Sequence, residues 1–465
     1  MDDQFRIGII SGKLGDVDGV SLEVNKWINV LLSLGHTVFT IAGRYVKPLT
    51  LIPAENQIQL GKIRFDSPEQ SYYEKIIFPY LHKISTPLSK DKKNELIDRL
   101  SMEGKEVANK LYEIVQEKDL DVIIAENTNA MPMTLLGGLG VYELSTTMQV
   151  ATIFHHHDFW WERSRFSHNH IESLLNQIMP PANLSLEHIV LSSYAEHILR
   201  SLKRIQPVVI PNCEDFQNPP VKDDYNGEFR KDFGFTEEDI LIVQPTRIVR
   251  RKRIEDSVEL VSRLIQKHPE LRDRIQYIIS LYQGDEPDQD YIRDITGMTK
   301  RHGISLRLIS DRISAVRGTN GKGEKLYTNR DVLLNADLVT YLPIWEGFGN
   351  ALLEATAALA PVVITTYLVY KTDIKPTGLA NIEIRDFYDA HGRLIIPDQA
   401  IRQIHFLLTH PEAKRDMVET NFAIAAKEFS LDTLKMRIDH VLRDYADEIR
   451  ASRKRVKKSK MLYSV

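Results

Sequence analysis

A chain of 465 residues is too long for one hydrophobic core, so two domains are expected. Hydrophobic residues at 43% and charged residues at 27% describe an ordinary globular protein, and a formal net charge of -4 excludes a general nucleic-acid binder, which needs a basic face. A single cysteine, Cys213, excludes an intramolecular disulfide and, with no apolar run of bilayer-spanning length and no signal-peptide pattern in residues 1–6, points to the cytoplasm.

In chain order, residues 6–11 (RIGIIS) form an apolar run ending at Gly12 and Gly15, followed by Gly19 and an amphipathic stretch over 21–34. That pattern reads as strand, loop and helix. Gly35-His36 punctuates, and residues 37–42 (TVFTIA) complete a βαβ unit expected to be parallel and right-handed. Asp16-Val17-Asp18 has the form of a metal-binding Asp-x-Asp, but in a glycine loop opening a helix it reads as a turn, so no metal is expected. Gly12, Gly15 and Gly19 also miss the G-x-G-x-x-G spacing of a nicotinamide enzyme. Residues near 85–118 read as helix, and residues 121–125, 150–154, 188–192 and 207–210 as further buried parallel strands. Glu126-Asn127 follows a strand end, serving either as a polar cap or as an acceptor contact.

Residues 154–166 (FHHHDFWWERSRF) follow another strand. Three adjacent histidines with Asp158 do not suit a metal, because neighbouring side chains on an extended segment point in opposite directions. Trp160, Trp161 and Phe166 read as core or as a stacking surface for an acceptor sugar. Glu162, Arg163 and Arg165 pair on the surface or bind an acidic acceptor.

Residues 219–227 turn polar and rich in Pro, Asn and Asp, which places a boundary after 218. A second alternating series follows: strands 239–244, 275–281, 306–309, 337–341 and 362–365, with helices over 254–267 and from about Asn350. The fold class is therefore α/β, with doubly wound, Rossmann-like domains over 1–218 and 219–428. A helical pattern and tail occupy 429–465, and seven of the eleven residues 450–460 are Lys or Arg. This tail reads as a solvated, frayed terminus; the sharper alternative is contact with anionic membrane.

Two segments of the second domain carry chemistry. Residues 341–358 (YLPIWEGFGNALLEATAA) leave a strand, pass through Glu346-Gly347-Phe348-Gly349 and enter a helix at Asn350, with Glu354 one turn inside. Glycines there admit a ligand to the backbone, a helix N-terminus attracts an anion, and carboxylates suit sugar hydroxyls. Residues 244–253 (QPTRIVRRKR) put Arg247 and Lys252 after another strand, where a diphosphate needs cations; Arg250, Arg251 and Arg253 read as a solvated loop.

The Glu346-x7-Glu354 spacing with Arg247 and Lys252 resembles retaining glycosyltransferases of the GT-B fold, family four. The resemblance extends over nearly the whole chain, through the glycine loop before Val20-Ser21, Gly35-His36, Ile210-Pro211-Asn212 and Phe429-Ser430. It implies two Rossmann-like domains facing a cleft, with a C-terminal helix crossing back to the first. It also implies a nucleotide diphosphate sugar as donor, GDP-mannose or UDP-glucose, a small sugar acceptor, and no cofactor. Glu346 would meet a donor-sugar hydroxyl, Glu354 the ribose, and Gly347, Phe348, Gly349 and Asn350 the sugar and diphosphate by their backbone. Gly15 and Gly19 would lie near the donor. His155, His156 and His157 compete for the place of a family histidine, with His157 favoured and His156 next, and Glu126, Asn127, Trp160 and Arg163 fall where an acceptor binds. HHHDFWWER with DLVTY and EGFGNALLEA is similar to a branch containing mannosylglucosylglycerate-type synthases, which implies an acidic acceptor such as a glucosylglycerate. The competing readings are a GT-B epimerase or hydrolase of nucleotide sugars, and a non-catalytic sugar-nucleotide-binding protein.

Overall fold

The apolar runs that alternate with helical stretches become two parallel sheets in a computed structural model that describes residues 4–79, 87–281 and 289–463. The start of the helix expected near 85 lies outside the described residues, and that helix runs over Lys90–Glu117 behind a Ser89 cap.

The first unit holds β1 (Arg6–Ser11), β2 (Thr37–Ala42), β3 (Gln57–Gln59), β4 (Val122–Glu126), β5 (Thr152–His156), β6 (Glu187–Val190) and β7 (Val208–Val209). All pair in parallel in the order β3-β2-β1-β4-β5-β6-β7. β4 and β5 are buried along their whole length, as parallel strands covered on both faces must be, hence the unbroken apolar runs in sequence. After β3 the chain returns across β1 to form β4, so winding reverses between β1 and β4. Ligands of open α/β sheets bind outside the carboxyl ends of strands at such a point.

The second unit repeats the plan with β8 (Ile240–Gln244), β9 (Ile275–Ile279) and β10 (Ser305–Leu308), then β13 (Leu338–Tyr341), β14 (Val362–Thr365) and β15 (Ile382–Ile384). Between β10 and β13 lies a short antiparallel hairpin, β11 (Gly318–Thr319) and β12 (Lys325–Leu326), too brief to leave a periodic signal. The sheet order is β10-β9-β8-β13-β14-β15, with winding reversing between β8 and β13.

Contacts divide the chain at Pro211–Asn212, before the polar stretch at 219–227, and the chain from Leu434 onward returns to the first unit. The basic C-terminal segment is not the frayed terminus expected from composition. A helix Leu431–Asp444 breaks at Tyr445, and a second helix, Ala446–Tyr463, carries the cations. Ser452 Oγ accepts from the Ala151 N–H at 2.8 Å, Arg453 lies 3.2 Å from Asp121, and Val456 joins the core, while Lys454, Lys457 and Lys458 stay exposed. Docking of one apolar face overrides the charge of the other. No helix among the described residues is long and apolar enough to cross a membrane.

Candidate active site

In the first unit, β4 and β5 end side by side, with Glu126 in register with His155. The strand expected to stop at Phe154 continues through His156, and this extension sorts the histidines. Side chains alternate along a strand, so His155 and His156 take opposite faces. His155 Nδ1 lies 3.0 Å from Glu126 Oε2, and His157, just past the strand, brings Nε2 to 2.5 Å from Glu126 Oε1. His156 instead meets His188 at 3.0 Å and stacks on Phe154, buried at 1% exposure. His156, expected to compete for the place of the family histidine, is thus turned away from Glu126 and occupied by His188. Burial, followed by the charge of His188, holds its pKa well below the ordinary value, and burial pushes His188 down to about 3.

Burial would raise the Glu126 carboxyl, but its two histidine partners pull it down to about 2. His157 is governed by the same contact: burial opposes its charge, the Glu126 carboxylate wins, and the pKa rises. Asn127 closes the corner in the left-handed region at φ 54°, its Oδ1 accepting from the His157 N–H at 3.0 Å. Glu23, buried on helix Gly19–Ser33, is pushed up by burial. Two further groups escaped the sequence reading. Trp27 packs on His155 with ring centroids 4.5 Å apart, and Lys13, in the glycine loop, pairs with Asp16 at 2.9 Å and Asp18 at 3.3 Å.

That loop follows β1. Asp18 caps the next helix by accepting from the Val20 and Ser21 N–H groups, a helix-capping turn. Gly15 sits at φ 75°, and a Cβ there would meet Lys47 O at 2.0 Å, so no larger residue fits. Gly19 is exposed at the first turn of that helix.

Trp160 does not offer a stacking surface for an acceptor. It is 4% exposed within the main core, and its indole N–H donates to Met179 O at 3.1 Å. Trp160→Ala is expected to cost about 3–5 kcal/mol of stability, read by chemical denaturation, with little change in acceptor KM among molecules that remain folded. Arg163 is held by Asp158 through Nε at 2.8 Å and by a second, shorter contact, so it is tied to the loop rather than extended toward a ligand. Glu162 accepts from the Phe159 N–H at 2.8 Å, and burial next to Asp158 raises it to about 8.

In the second unit the two segments following β8 and β13 meet at the switch point. The chain after β8 makes a single turn over Arg250–Lys252, and the Ile344 N–H donates to Arg251 O at 3.2 Å, joining the two loops by their backbones. Glu346 Oε1 accepts from Arg251 Nη1 at 2.9 Å and from Lys252 Nζ at still closer range. Arg251, expected in solvent, is thus drawn into the cluster because its strand-end loop folds back over Glu346. Arg250 is exposed, and Arg253 pairs with Asp256 at 2.7 Å. Burial, partly offset by Glu346, lowers Lys252 to about 7; burial would raise Glu346, but Arg251 and Lys252 bring it to about 2. Arg247 is half-buried and near enough for its charge to depress Lys252 further.

Beyond Glu346, Gly347 is half-buried and Phe348 anchors the loop: its ring is 2% exposed and set edge-on against Phe429, and its carbonyl accepts from Tyr367 Oη at 2.5 Å. Gly349 at φ 132° caps helix Asn350–Ala357 with no side chain, and a Cβ there would meet Tyr367 Oη at 2.4 Å. Asn350 Oδ1 accepts from Asn212 Nδ2 at 2.6 Å. Glu354 Oε2 accepts from Asn329 Nδ2 at 3.0 Å, and Ser280 Oγ donates to Asn329 Oδ1 at 2.7 Å, a chain of partners with no sequence signal.

Among the described residues two sets could each offer three ligand atoms to a metal: Glu126, His155 and His157, and the partly exposed His268, Glu270 and His405. The sequence argument covered adjacent histidines and missed that residues two apart converge. In the first set both imidazoles already hydrogen-bond the carboxylate.

No family model matches the chain. A mannosylglucosylglycerate synthase from Thermotoga maritima is 32% identical over 448 residues, which cover 93% of this chain and 98% of that one. A solved glycosyltransferase from Rickettsia africae aligns over 96% of this chain and 99% of its own, with TM-score 0.62 and 13% identity. HepE from Anabaena, solved with UDP and glucose, aligns over 95% and 100% with TM-score 0.59 and 14% identity. The solved structures share the GT-B plan of two Rossmann-like units.

Proposed function

The chain belongs to the family of the mannosylglucosylglycerate synthases, glycosyltransferases of the GT-B fold, and we propose that it moves a mannosyl group from GDP-mannose to a hydroxyl of glucosylglycerate with retention of configuration. One observation supports this most: the loops after β8 and β13, flanking the switch point of the second sheet, gather Lys252, Arg251 and Glu346 beside a glycine-capped helix N-terminus. Such a place suits a nucleoside diphosphate sugar.

In this reading Arg247 and Lys252 hold the diphosphate, backbone groups of Gly347–Asn350 hold the sugar and phosphate, and Glu354 takes the ribose. Glu346 accepts from a sugar hydroxyl. The bond from the anomeric carbon to the phosphate oxygen breaks as the acceptor oxygen bonds to the same face. The acceptor proton passes to the leaving phosphate, and the cations stabilise the charge that develops there. His157 is the histidine of the first unit assigned to catalysis; its Nε2 is committed to Glu126, so Nδ1 is the atom that would meet a substrate hydroxyl. The cytoplasm is the proposed setting, and the single cysteine, buried Cys213, fits a reducing one.

Purified protein given GDP-mannose or UDP-glucose, each with and without glucosylglycerate, tests the proposal. A product from GDP-mannose and acceptor together, with its anomer read by NMR, is expected. Donor consumption without acceptor would instead support the epimerase or hydrolase reading, and no turnover with either donor would remove the proposal.

A further inference from the structure

The cluster at the β8–β13 switch point contains one more cation than a diphosphate and a sugar contact require. Glu346 Oε1 serves two donors, Arg251 and Lys252, and all three side chains are largely withdrawn from water, at 23%, 11% and 10% exposure for Arg251, Lys252 and Glu346. Lys252 Nζ also lies 5.3 Å from the centre of the Tyr341 ring. If Lys252 were Glu346's sole partner, the carboxylate would neutralise the ammonium that the diphosphate needs. Arg247, Arg251 and Lys252 together with Glu346 carry a net charge of +2, which balances the two negative charges of a nucleoside diphosphate sugar. Without Arg251 the net falls to +1.

The two cations differ in what they do best. A guanidinium stays charged and offers a rigid planar fork to a carboxylate, whereas an ammonium on a flexible stem re-aims readily. Arg251 is also fixed through its own carbonyl to the loop that bears Glu346.

We propose that Arg251 is a positioning residue: it holds the Glu346 carboxylate when donor binds, so that Lys252 turns from Glu346 to the diphosphate and Glu346 remains set to receive the sugar hydroxyl. This rests on the donor site proposed above. Arg251 then acts through Glu346 and not on the phosphates.

The test compares Arg251→Met, Arg251→Lys, Glu346→Gln and the double variant Arg251→Met/Glu346→Gln with wild type. GDP and UDP binding is measured by calorimetry, kcat and KM with GDP-mannose, and folding by thermal melting. Arg251→Met is expected to lower kcat/KM about 30-fold, the scale of a lost charged hydrogen bond, and to weaken nucleoside diphosphate binding with it, because Lys252 then stays on Glu346. Arg251→Lys should recover only part of the loss, because an ammonium keeps a charge but not the rigid fork. In the Glu346→Gln background, Arg251→Met should add almost nothing, because its target is gone. Unaltered turnover in Arg251→Met, or a loss of turnover and diphosphate affinity that is as large in the Glu346→Gln background as in wild type, would each overturn the assignment. Wild type that binds neither GDP nor UDP would remove the donor site itself, a separate outcome.

Discussion

Lys252→Met is expected to lower kcat/KM for the donor by a factor of about 10²–10³ while leaving the melting temperature equal to or above that of wild type. The activity loss follows from the proposed role, since an ammonium beside a leaving diphosphate stabilises charge that appears only as the bond breaks. The stability result follows from burial. Desolvation, only partly offset by Glu346, brings Lys252 down to about 7, so keeping it charged in the fold is costly. Methionine fills similar space without that cost, and Glu346 keeps Arg251 as a partner. The pH dependence sharpens the test. A lysine whose folded value lies below its unfolded 10.5 makes the unfolded chain the better proton binder between about 7 and 10.5. Wild type should therefore gain stability from this group as pH rises through that window, and Lys252→Met should lack the gain. Denaturation curves at several pH values read the difference; a variant that loses stability throughout would make Lys252 a structural cation.

Most of what positions these groups was legible in the sequence, because apolar runs, glycine loops and strand ends are local signals. Arg247, Lys252, Glu346, Gly349 and Glu354 all fall in the segments after β8 and β13, and Glu126, Asn127 and His157 at the ends of β4 and β5. What escaped depends on contacts between segments far apart in the chain. Five cations in seven residues look alike in sequence, and only the fold of the β8 loop onto the β13 loop separates Arg251 from Arg250. Two residues added to β5 decided which histidines share Glu126, and strand ends are where local patterns say least. Trp160 falls on the core side of the two readings open to it, through Met179, whereas the helix Ala446–Tyr463 was misjudged because a run of cations looks frayed until the surface that takes its apolar face is known, here the edge near Ala151.

Glu126→Gln is expected to destabilise the protein by about 3 kcal/mol near pH 6, and by progressively less as pH rises. The sign follows from two opposite shifts. Glu126 is lowered to about 2, so its stabilising contribution is present above the unfolded value of 4.5 and is lost as pH falls toward 2. His157 is raised, so its contribution is complete below the unfolded value of 6.5 and is lost as pH climbs through the folded one. The pair therefore contributes most between 4.5 and 6.5. An uncharged amide at position 126 removes the reason for His157 to keep its proton, so the His157 ring resonances followed by NMR should titrate at lower pH in the variant. Acid also protonates the buried His188, which is held at about 3, but that cost is common to both proteins and cancels in the difference. A charged His157 that takes part in turnover moves the alkaline limb of kcat/KM to lower pH together with the NMR titration. A stability difference that stays constant from about pH 5 to 9 would show that Glu126 supports the strand ends by shape alone and exchanges no charge with His157.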